Sequence, residues 1–300
     1  MIIDEIKNTF RRPNNALKQL IVINVIVFVI MGILAVIAEL SGFQTVFAVF
    51  HDQFMIPPLF GDFIRRPWTL FTYSFTHSLV DFLHIIFNML GLYWFGRLIT
   101  EYLGSRKLVA LYILGGVAGG LAFLFFFNFV PYFQERALNV GGMVGASAAV
   151  YAIAVAAATL LPDYSFYLIF IGPVKIKYIV MVYIFFSFLG IVGANAGGNI
   201  AHLGGAVVGY FFISQLKRGR DLGRPVNATL DFFKSFFVPR PKIRVSYNSR
   251  TDKARTEVRK EPVSKTDQQE IDAILDKISA KGYSSLTKEE KEKLFKASKK

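Results

Sequence analysis

Residues 141–151 read GGMVGASAAVY, a glycine-rich segment that leads directly into an apolar run. It places a single serine, Ser147, at the predicted start of an apolar helix, and no charged residue occurs from Ala137 to Leu161. A serine in such a helix ordinarily donates its hydroxyl hydrogen to the carbonyl one turn earlier and serves only packing. The other interpretation is a nucleophile, and the remaining apolar segments decide between the two.

Ser147 lies in the fourth of six apolar segments, near residues 17–40, 82–99, 108–130, 145–161, 179–194 and 199–216. Each approaches the ~20 residues that an α-helix needs to cross a hydrocarbon core. The 300-residue chain is 53% hydrophobic and carries 31 phenylalanines. The sequence therefore predicts an all-α, polytopic membrane protein with six transmembrane helices. The fourth segment is short, so we expect Ser147 to lie below the membrane surface.

Lysine and arginine are distributed unevenly between the two sides of this arrangement. The N-terminal segment and the loops of one side carry nine of them before the C-terminal tail is counted, and the other side carries only Arg65, Arg66 and Arg136. Because cytoplasmic loops are enriched in these residues, we predict a multi-pass protein of a bacterial-type cytoplasmic membrane with both termini cytoplasmic. From Lys217 onward the net charge is +10, which favours anionic lipid headgroups over nucleic acid as a partner of the tail.

The chain divides into three predicted parts: a six-helix membrane domain (1–216), a basic juxtamembrane and disordered linker (217–266), and a short cytoplasmic helical hairpin (267–300). The segment after the first span, roughly 41–74, is too apolar for a solvated loop, and Pro57 and Pro58 break it into pieces too short to cross. We expect it to lie half embedded in the membrane interface. A lid packed on the helices is an equally good interpretation, and the two are compatible.

The tail carries three local patterns. Aromatic residues between 228 and 238 predict a helix on the inner headgroups, and the charged, proline-containing residues 239–265 predict disorder. Farther on, apolar residues at helical spacing predict a helix that ends at Gly282. Thr287 and Glu290 form a capping box for a second helix.

Two other apolar segments carry polar residues at helical spacing. In the second, His84 and Asn88 are four residues apart and share a helix face. In the sixth, one stripe holds a histidine and two glycines: His202, Gly205 and Gly209. Glycines allow another helix to approach closely, and the small residues around Ser147 make the fourth helix the expected neighbour. Such polar groups can simply bond nearby backbone, but their cost at this depth makes function the default hypothesis.

This set of residues is suited to acyl transfer. Neutral imidazole can accept a hydroxyl proton near neutral pH, so Ser147 paired with His202 would be an activated nucleophile. The developing oxyanion needs hydrogen-bond donors, and His84, Asn88 and the Ser147 N–H are the candidates. Because no carboxylate in the apolar segments can orient His202, we predict a Ser–His dyad with Tyr151 packed on the imidazole instead of a triad.

Other intramembrane chemistries lack the residues that they require. None of the four histidines is followed by glutamate, so the His-Glu-x-x-His zinc motif is absent. There is no pair of aspartates within the spans for an aspartyl protease, and Glu39 and Glu101 lie only at helix ends, where they do not suit coupled transport. The sequence therefore predicts neither a metal nor a cofactor, and a transporter or channel is the weaker interpretation.

Taken in order, these motifs resemble the rhomboid intramembrane serine proteases. The matching residues are Gly145-Ala146-Ser147 with Tyr151, Ala201-His202 with Gly205 and Gly209, and His84 with Asn88-Met89. The likeness covers about residues 17–216 and implies a rhomboid-like six-helix bundle with a Ser147–His202 dyad. It also implies an oxyanion site of His84, Asn88 and the Ser147 N–H, with Tyr151 stacked on His202.

In function, the resemblance implies a serine endopeptidase that hydrolyses peptide bonds of transmembrane substrates near their extracytoplasmic ends. The alternative is a catalytically inactive rhomboid-like protein that binds transmembrane helices. Three positions depart from the family pattern. Ala148 stands where glycine often follows the nucleophile, and Thr69 replaces the usual arginine after Trp68. His77 lies farther from His84 than the family's upstream histidine does, and we interpret it as structural.

Overall fold

The computed structural model describes residues 2–12, 14–237 and 265–298. The chain divides into two units, Met1–Pro239 and Arg240–Lys300. The helices of the first unit are α1 (Ile2–Arg11), α2 (Ala16–Leu40), α3 (Gln44–Asp52), α4 (Phe60–Arg65), α5 (Thr69–Thr72), α6 (Phe82–Leu103), α7 (Ser105–Phe129), α8 (Pro131–Ala137), α9 (Ser147–Leu160), α10 (Ile176–Leu189), α11 (Ala196–Lys217) and α12 (Arg224–Phe237). Two short strands, β1 (Ser165–Leu168) and β2 (Gly172–Lys175), lie between α9 and α10.

Six of these helices, α2, α6, α7, α9, α10 and α11, coincide with the predicted apolar segments. Within the described residues, four of them are long and apolar enough to cross a membrane: α2, α6, α7 and α11. The other two, α9 and α10, have 14 residues each, although a 3₁₀ turn at Gly190–Val192 extends α10. Length alone therefore supports four of the six predicted crossings.

Helix α9 lies in the core because its side chains are small. Seven of its fourteen residues are alanine, and the helix is buried over most of its length. A Cβ placed on Gly115 or Gly119 of α7 would overlap the side chains of Ala152 and Ala148, respectively. The glycines of α11 approach the same helix, so α7 and α11 both pack closely against α9. Gly115 and Gly119 of α7 are therefore packing residues.

The segment between α2 and α6 is built of short helices with exposed apolar side chains, among them Phe43, Val46 and Val49. Its backbone is tied together by side chains: Trp68 Nε1 donates to the Gln53 carbonyl at 2.8 Å, and Arg66 Nη1 donates to the Asp52 carbonyl at 2.9 Å. These two bonds join the chain around residues 66–68 to the end of α3 and the residue after it.

The strands are a feature that the all-α prediction missed. β1 and β2 pair antiparallel, with Ser165 opposite Lys175, and Phe170 in the turn has a φ of 72°. Residues 164–171 are nearly all apolar or aromatic and lack the alternation that marks a strand. At the base, Lys175 and Lys177 each donate to Asp163 at 2.9 Å, and these bonds, that of Lys177 foremost, lower the pKa of Asp163 to about 2.

After α11 the chain turns back onto the beginning of α7. Lys107 pairs with Asp221, and Arg106 pairs with Asp231 of α12 at 3.1 Å. Part of the segment predicted as a linker (217–266) is therefore a helix joined to the membrane helices. Its exposed side chains include Phe232, Phe233 and Phe236. The disorder predicted for 239–265 lies outside the described residues, except at Lys265, where the next helix begins.

The second unit contains α13 (Lys265–Lys281), a 3₁₀ turn (Tyr283–Ser285) and α14 (Lys288–Ser298). Gly282 ends α13 with a φ of 75°, a conformation that favours glycine. The predicted capping box is confirmed, because the Thr287 N–H donates to Glu290 Oε2 at 2.7 Å and the Glu290 N–H donates to Thr287 Oγ1 at 3.3 Å. Ile274 and Leu286 are buried within this unit.

Candidate functional site

Ser147 is the first residue of α9, and the turn before it requires glycine. Gly145 has a φ of 127°, and its N–H donates to the Tyr73 carbonyl at 2.9 Å. The next N–H, that of Ala146, donates to His77 Nε2 at 3.5 Å. Because the first N–H groups of a helix have no partner within it, the Ser147 N–H is available at the point where its hydroxyl emerges.

The imidazole of His84, from α6, lies against Gly145 in this turn. A Cβ added to Gly145 would lie 2.7 Å from His84 Nε2 and 3.7 Å from Ser147 Oγ. The imidazole and the hydroxyl therefore border the same small space, which a larger residue at position 145 would fill. Asp81 caps α6 by accepting from the His84 N–H at 3.2 Å.

Asn88 is placed one turn after His84 and is only 5% exposed. Its Nδ2 donates to the His84 carbonyl at 2.8 Å. One of its two amide hydrogens therefore bonds the backbone of its own helix. This is the structural alternative that the sequence left open for such polar residues. The second hydrogen remains for another acceptor.

His202 is held by an aromatic ring from α9. Its imidazole stacks on Tyr151, with ring centroids 4.2 Å apart and planes 9° apart. Tyr151 is one turn after Ser147, so the two candidate residues lie on packed helices and share a neighbour. A Cβ on Gly205 or Gly209 would overlap the carbonyl oxygen of Ala148 or Ala152, respectively, so the stripe of α11 does face α9. Among the described residues, no hydrogen bond joins Ser147 directly to His202.

Ser187 was not among the predicted site residues, and it contacts the Nδ1 edge of the His202 imidazole. Its Oγ lies 3.1 Å from His202 Nδ1 and donates to Tyr151 Oη at 2.8 Å, and Tyr151 Oη donates to the Tyr183 carbonyl at 3.3 Å. A carbonyl only accepts, so the chain of bonds has one direction: Tyr151 gives its hydrogen to the carbonyl, and Ser187 gives its hydrogen to Tyr151. Ser187 then accepts from Nδ1–H of His202, which leaves Nε2 with a lone pair.

The signal in the sequence is limited to one fact: Ser187 is the only serine or threonine in α10. The structure adds that it is 2% exposed, in a helix whose apolar side chains are largely exposed. A single buried hydroxyl in such a helix indicates a polar partner on the neighbouring helix.

His77 contacts the turn that precedes Ser147. It is 1% exposed, and its ring meets that of His84 edge-on with centroids 5.4 Å apart. Its Nε2 accepts from the Ala146 N–H. These contacts position both the turn and His84, which agrees with a structural role.

A cavity of about 650 Å³ opens beside His84. Ser78, Asp81 and the glycine-containing segments 139–144 and 193–198 line it, together with phenylalanines of α7 and α8. Ser147 and His202 are not among its lining residues. Exposed backbone together with apolar side chains suits an extended peptide, which needs hydrogen bonds for its main chain and pockets for its side chains.

Comparison with known proteins identifies the family. The rhomboid domain family model matches residues 65–218, and a family of unknown function (DUF6576) matches residues 263–300. The chain is 29% identical to RHOMBOID-like protein 12, mitochondrial, of Arabidopsis thaliana, over 63% of this chain and 59% of that protein. It is 28% identical to Rhomboid protein 1, mitochondrial, of Saccharomyces cerevisiae, over 54% of this chain and 45% of that protein.

The similarity extends to vertebrates: Presenilin-associated rhomboid-like protein A, mitochondrial, of Danio rerio is 28% identical over 47% of this chain and 35% of that protein. The chain thus spans roughly a third to three-fifths of the length of these curated relatives. The family match includes the turn at Gly145 and the helices that carry His84, Ser147 and His202. With this domain covering just over half of its residues, the protein belongs to the rhomboid family and is an integral membrane protein.

Proposed function

We propose that this protein is an intramembrane serine endopeptidase in which Ser147 is the nucleophile and His202 the general base. One observation supports this most directly. The imidazole of His202 is stacked on Tyr151 and bonded at Nδ1 to Ser187, so its free Nε2 belongs to a ring that cannot easily turn away. A general base needs this fixed orientation and this tautomer.

In the proposed reaction, Nε2 of His202 accepts the hydroxyl proton as Ser147 Oγ attacks the carbonyl carbon of the scissile bond. The tetrahedral intermediate collapses when the protonated imidazole gives this proton to the leaving amine, which produces an acyl ester on Ser147. Water then attacks the ester, with the same imidazole as base. The imidazolium returns this proton to Ser147 Oγ as the ester C–O bond breaks, which releases the second product as a carboxylic acid and restores the dyad. Every proton transfer in this sequence passes through His202.

The oxyanion would form beside the Gly145 turn. The Ser147 N–H, His84 and the second amide hydrogen of Asn88 are the proposed donors. His84 Nε2 and Ser147 Oγ border one space, so a carbonyl oxygen placed there by the attack would lie near both. Because Asn88 also bonds the His84 carbonyl, its amide has little freedom to turn.

Proposed substrates are transmembrane proteins cut near their extracytoplasmic ends. Hydrolysis needs water and an extended backbone, and the cavity beside His84 has room for both. Family resemblance is the reason for choosing a transmembrane helix as the source of that segment.

The proposed topology has six crossings, with α9 and α10 as the short ones, and both termini cytoplasmic in a bacterial-type membrane. A short α9 beginning at Ser147 would put the nucleophile below the outer surface. Residues 1–216 would form the protease domain. The basic tail would contact anionic lipid headgroups, and the hairpin from residue 267 would be cytoplasmic.

Labelling by a fluorophosphonate tests whether the dyad is active. We expect the full-length protein in detergent to be labelled at Ser147, and the Ser147→Ala variant to remain unlabelled. Ser165→Ala is the matched control, since Ser165 lies in β1, outside the site, and it should label like the wild type. An unlabelled wild-type protein that still captures transmembrane helices would instead support the inactive rhomboid-like alternative.

Removing the Ser187 hydroxyl should slow catalysis without weakening substrate binding. We expect Ser187→Ala to lower kcat by roughly tenfold to a hundredfold with little change in KM, because the imidazole loses the partner that fixes its tautomer. Kinetics with a transmembrane substrate would measure both constants. Ser187→Thr keeps a hydroxyl and should recover most of the loss. A purely structural Ser187 would lower the unfolding temperature of Ser187→Ala but leave kcat of the folded fraction unchanged.

A further inference from the structure

A second cavity, of about 400 Å³, lies at the opposite end of α7 from the first. It is bordered by the end of α1 and the chain after it, by the start of α7, and by α12. These three segments are distant in the sequence, and none of them belongs to the proposed catalytic site.

The cavity is strongly basic. Arg11, Arg12, Arg106 and Lys234 line it against a single carboxylate, that of Asp231. Asp231 pairs with Arg106 at 3.1 Å. In the described part of the chain, no ion pair involves the other three cations. A concave site with this excess of positive charge attracts anions.

The amino terminus of α7 adds to the positive electrostatic potential of the cavity. α7 has 25 residues, its N-cap is Gly104, and no side chain caps it. Ser105 and Arg106, the first two helical residues, both line the cavity. Uncapped N–H groups and the positive end of the helix dipole favour an anion at this point.

Ser105 provides an independent observation that points to a ligand. Its side chain is buried, with 8% of the residue exposed, and its hydroxyl has no hydrogen-bond partner. Buried hydroxyls are rarely left unbonded, because the lost hydrogen bond is costly. An anionic oxygen in the cavity that Ser105 borders would accept this hydrogen.

We propose that this cavity binds the phosphate group of an anionic phospholipid. Arginine and lysine side chains, backbone N–H groups and a hydroxyl are together the donors that a phosphate prefers. Phe10 and Leu230 also line the cavity, and both are exposed. Such apolar side chains make no favourable contact with a soluble phosphate, but they can pack against the acyl chains of a lipid. The site is independent of the proposed peptidase activity.

Thermal unfolding of the full-length protein in a neutral detergent tests the proposal. Phosphatidylglycerol should raise the unfolding temperature of the wild type, while phosphatidylcholine should not. We expect Ser105→Ala to weaken the apparent phosphatidylglycerol affinity about tenfold, because a hydrogen bond to a charged group is lost. Arg12→Gln combined with Lys234→Gln should weaken it roughly twentyfold.

The matched control is Arg218→Gln combined with Arg220→Gln. It removes the same charge from residues that do not line the cavity, and its affinity should stay within about twofold of the wild type. Without lipid, Ser105→Ala should unfold at the wild-type temperature or above, since an unbonded buried hydroxyl has been removed. That result separates a lost ligand contact from a damaged fold.

The same unfolding measurement with inorganic phosphate, in place of a phospholipid, distinguishes a lipid from a free anion. No stabilisation by phosphate, together with the variant-sensitive effect of phosphatidylglycerol, supports the lipid. Stabilisation by phosphate that Ser105→Ala abolishes, with none by phosphatidylglycerol, would overturn the lipid as occupant. Equal responses of all variants to phosphatidylglycerol would overturn the site itself, because only general charge attraction would then remain.

Discussion

Replacing His202 by alanine is expected to lower the kcat/KM for cleavage of a transmembrane substrate by about 10⁴-fold or more, and Ser147→Ala should do the same. Without Nε2 the Ser147 hydroxyl keeps its proton at neutral pH, and without the hydroxyl no acyl ester can form. The measurement is the rate of product formation by the full-length protein reconstituted with a substrate that carries small residues near its extracytoplasmic end.

The double variant distinguishes a dyad from two independent contributions. If Ser147 and His202 act in one step, the double variant should be no slower than either single variant. His51→Ala is the matched histidine control, because His51 lies in α3, which packs against α2 and carries no proposed site residue. Its rate should stay within about threefold of the wild type. Thermal unfolding must show that His202→Ala is folded, since it also loses the stacking on Tyr151. A folded His202→Ala variant that cleaves at the wild-type rate would remove His202 from the mechanism.

The residues of this site that were predictable from the sequence are those whose relations lie along one helix. His84 and Asn88, or Ser147 and Tyr151, share a face because four residues make about one helical turn. The glycine stripe of α11 also predicted a closely packed neighbouring helix, and α9 was the apolar segment with small enough residues. Small residues thus encode which helices meet.

Contacts that depend on how a helix is rotated were not predictable in this way. Ser187 reaches His202 only because α10 turns its one serine inward, and apolar residues on all sides give no periodicity to show this. The β1–β2 hairpin was not predictable either, because its residues are nearly all apolar or aromatic and lack the alternation that marks a strand. The cavity lined by Arg11, Ser105 and Lys234 joins three segments whose association no local pattern encodes.

The second large effect concerns the contact between α9 and α11. Gly209→Ala is expected to reduce the free energy of unfolding by about 3 kcal/mol, near the upper end of the usual cost of overpacking. The added methyl group would overlap the carbonyl oxygen of Ala152, which is backbone and cannot rotate aside. The two helices must therefore separate. Because α9 carries Ser147 and α11 carries His202, we also expect cleavage to fall at least tenfold in the protein that remains folded.

Gly32→Ala is the matched control, because Gly32 lies in α2 and a Cβ there would meet nothing within 4 Å. It should be neutral or stabilising by up to about 1 kcal/mol, owing to the higher helix propensity of alanine. Unfolding by dodecyl sulfate in mixed micelles would compare the two variants. Equal stability of Gly209→Ala and Gly32→Ala would contradict the close packing of α9 and α11. If Gly209→Ala were destabilised but cleaved substrate at the wild-type rate when folded, the spacing of these helices would not control the meeting of Ser147 and His202. The dyad would then have to be positioned from the other side of the imidazole, by Ser187 and α10.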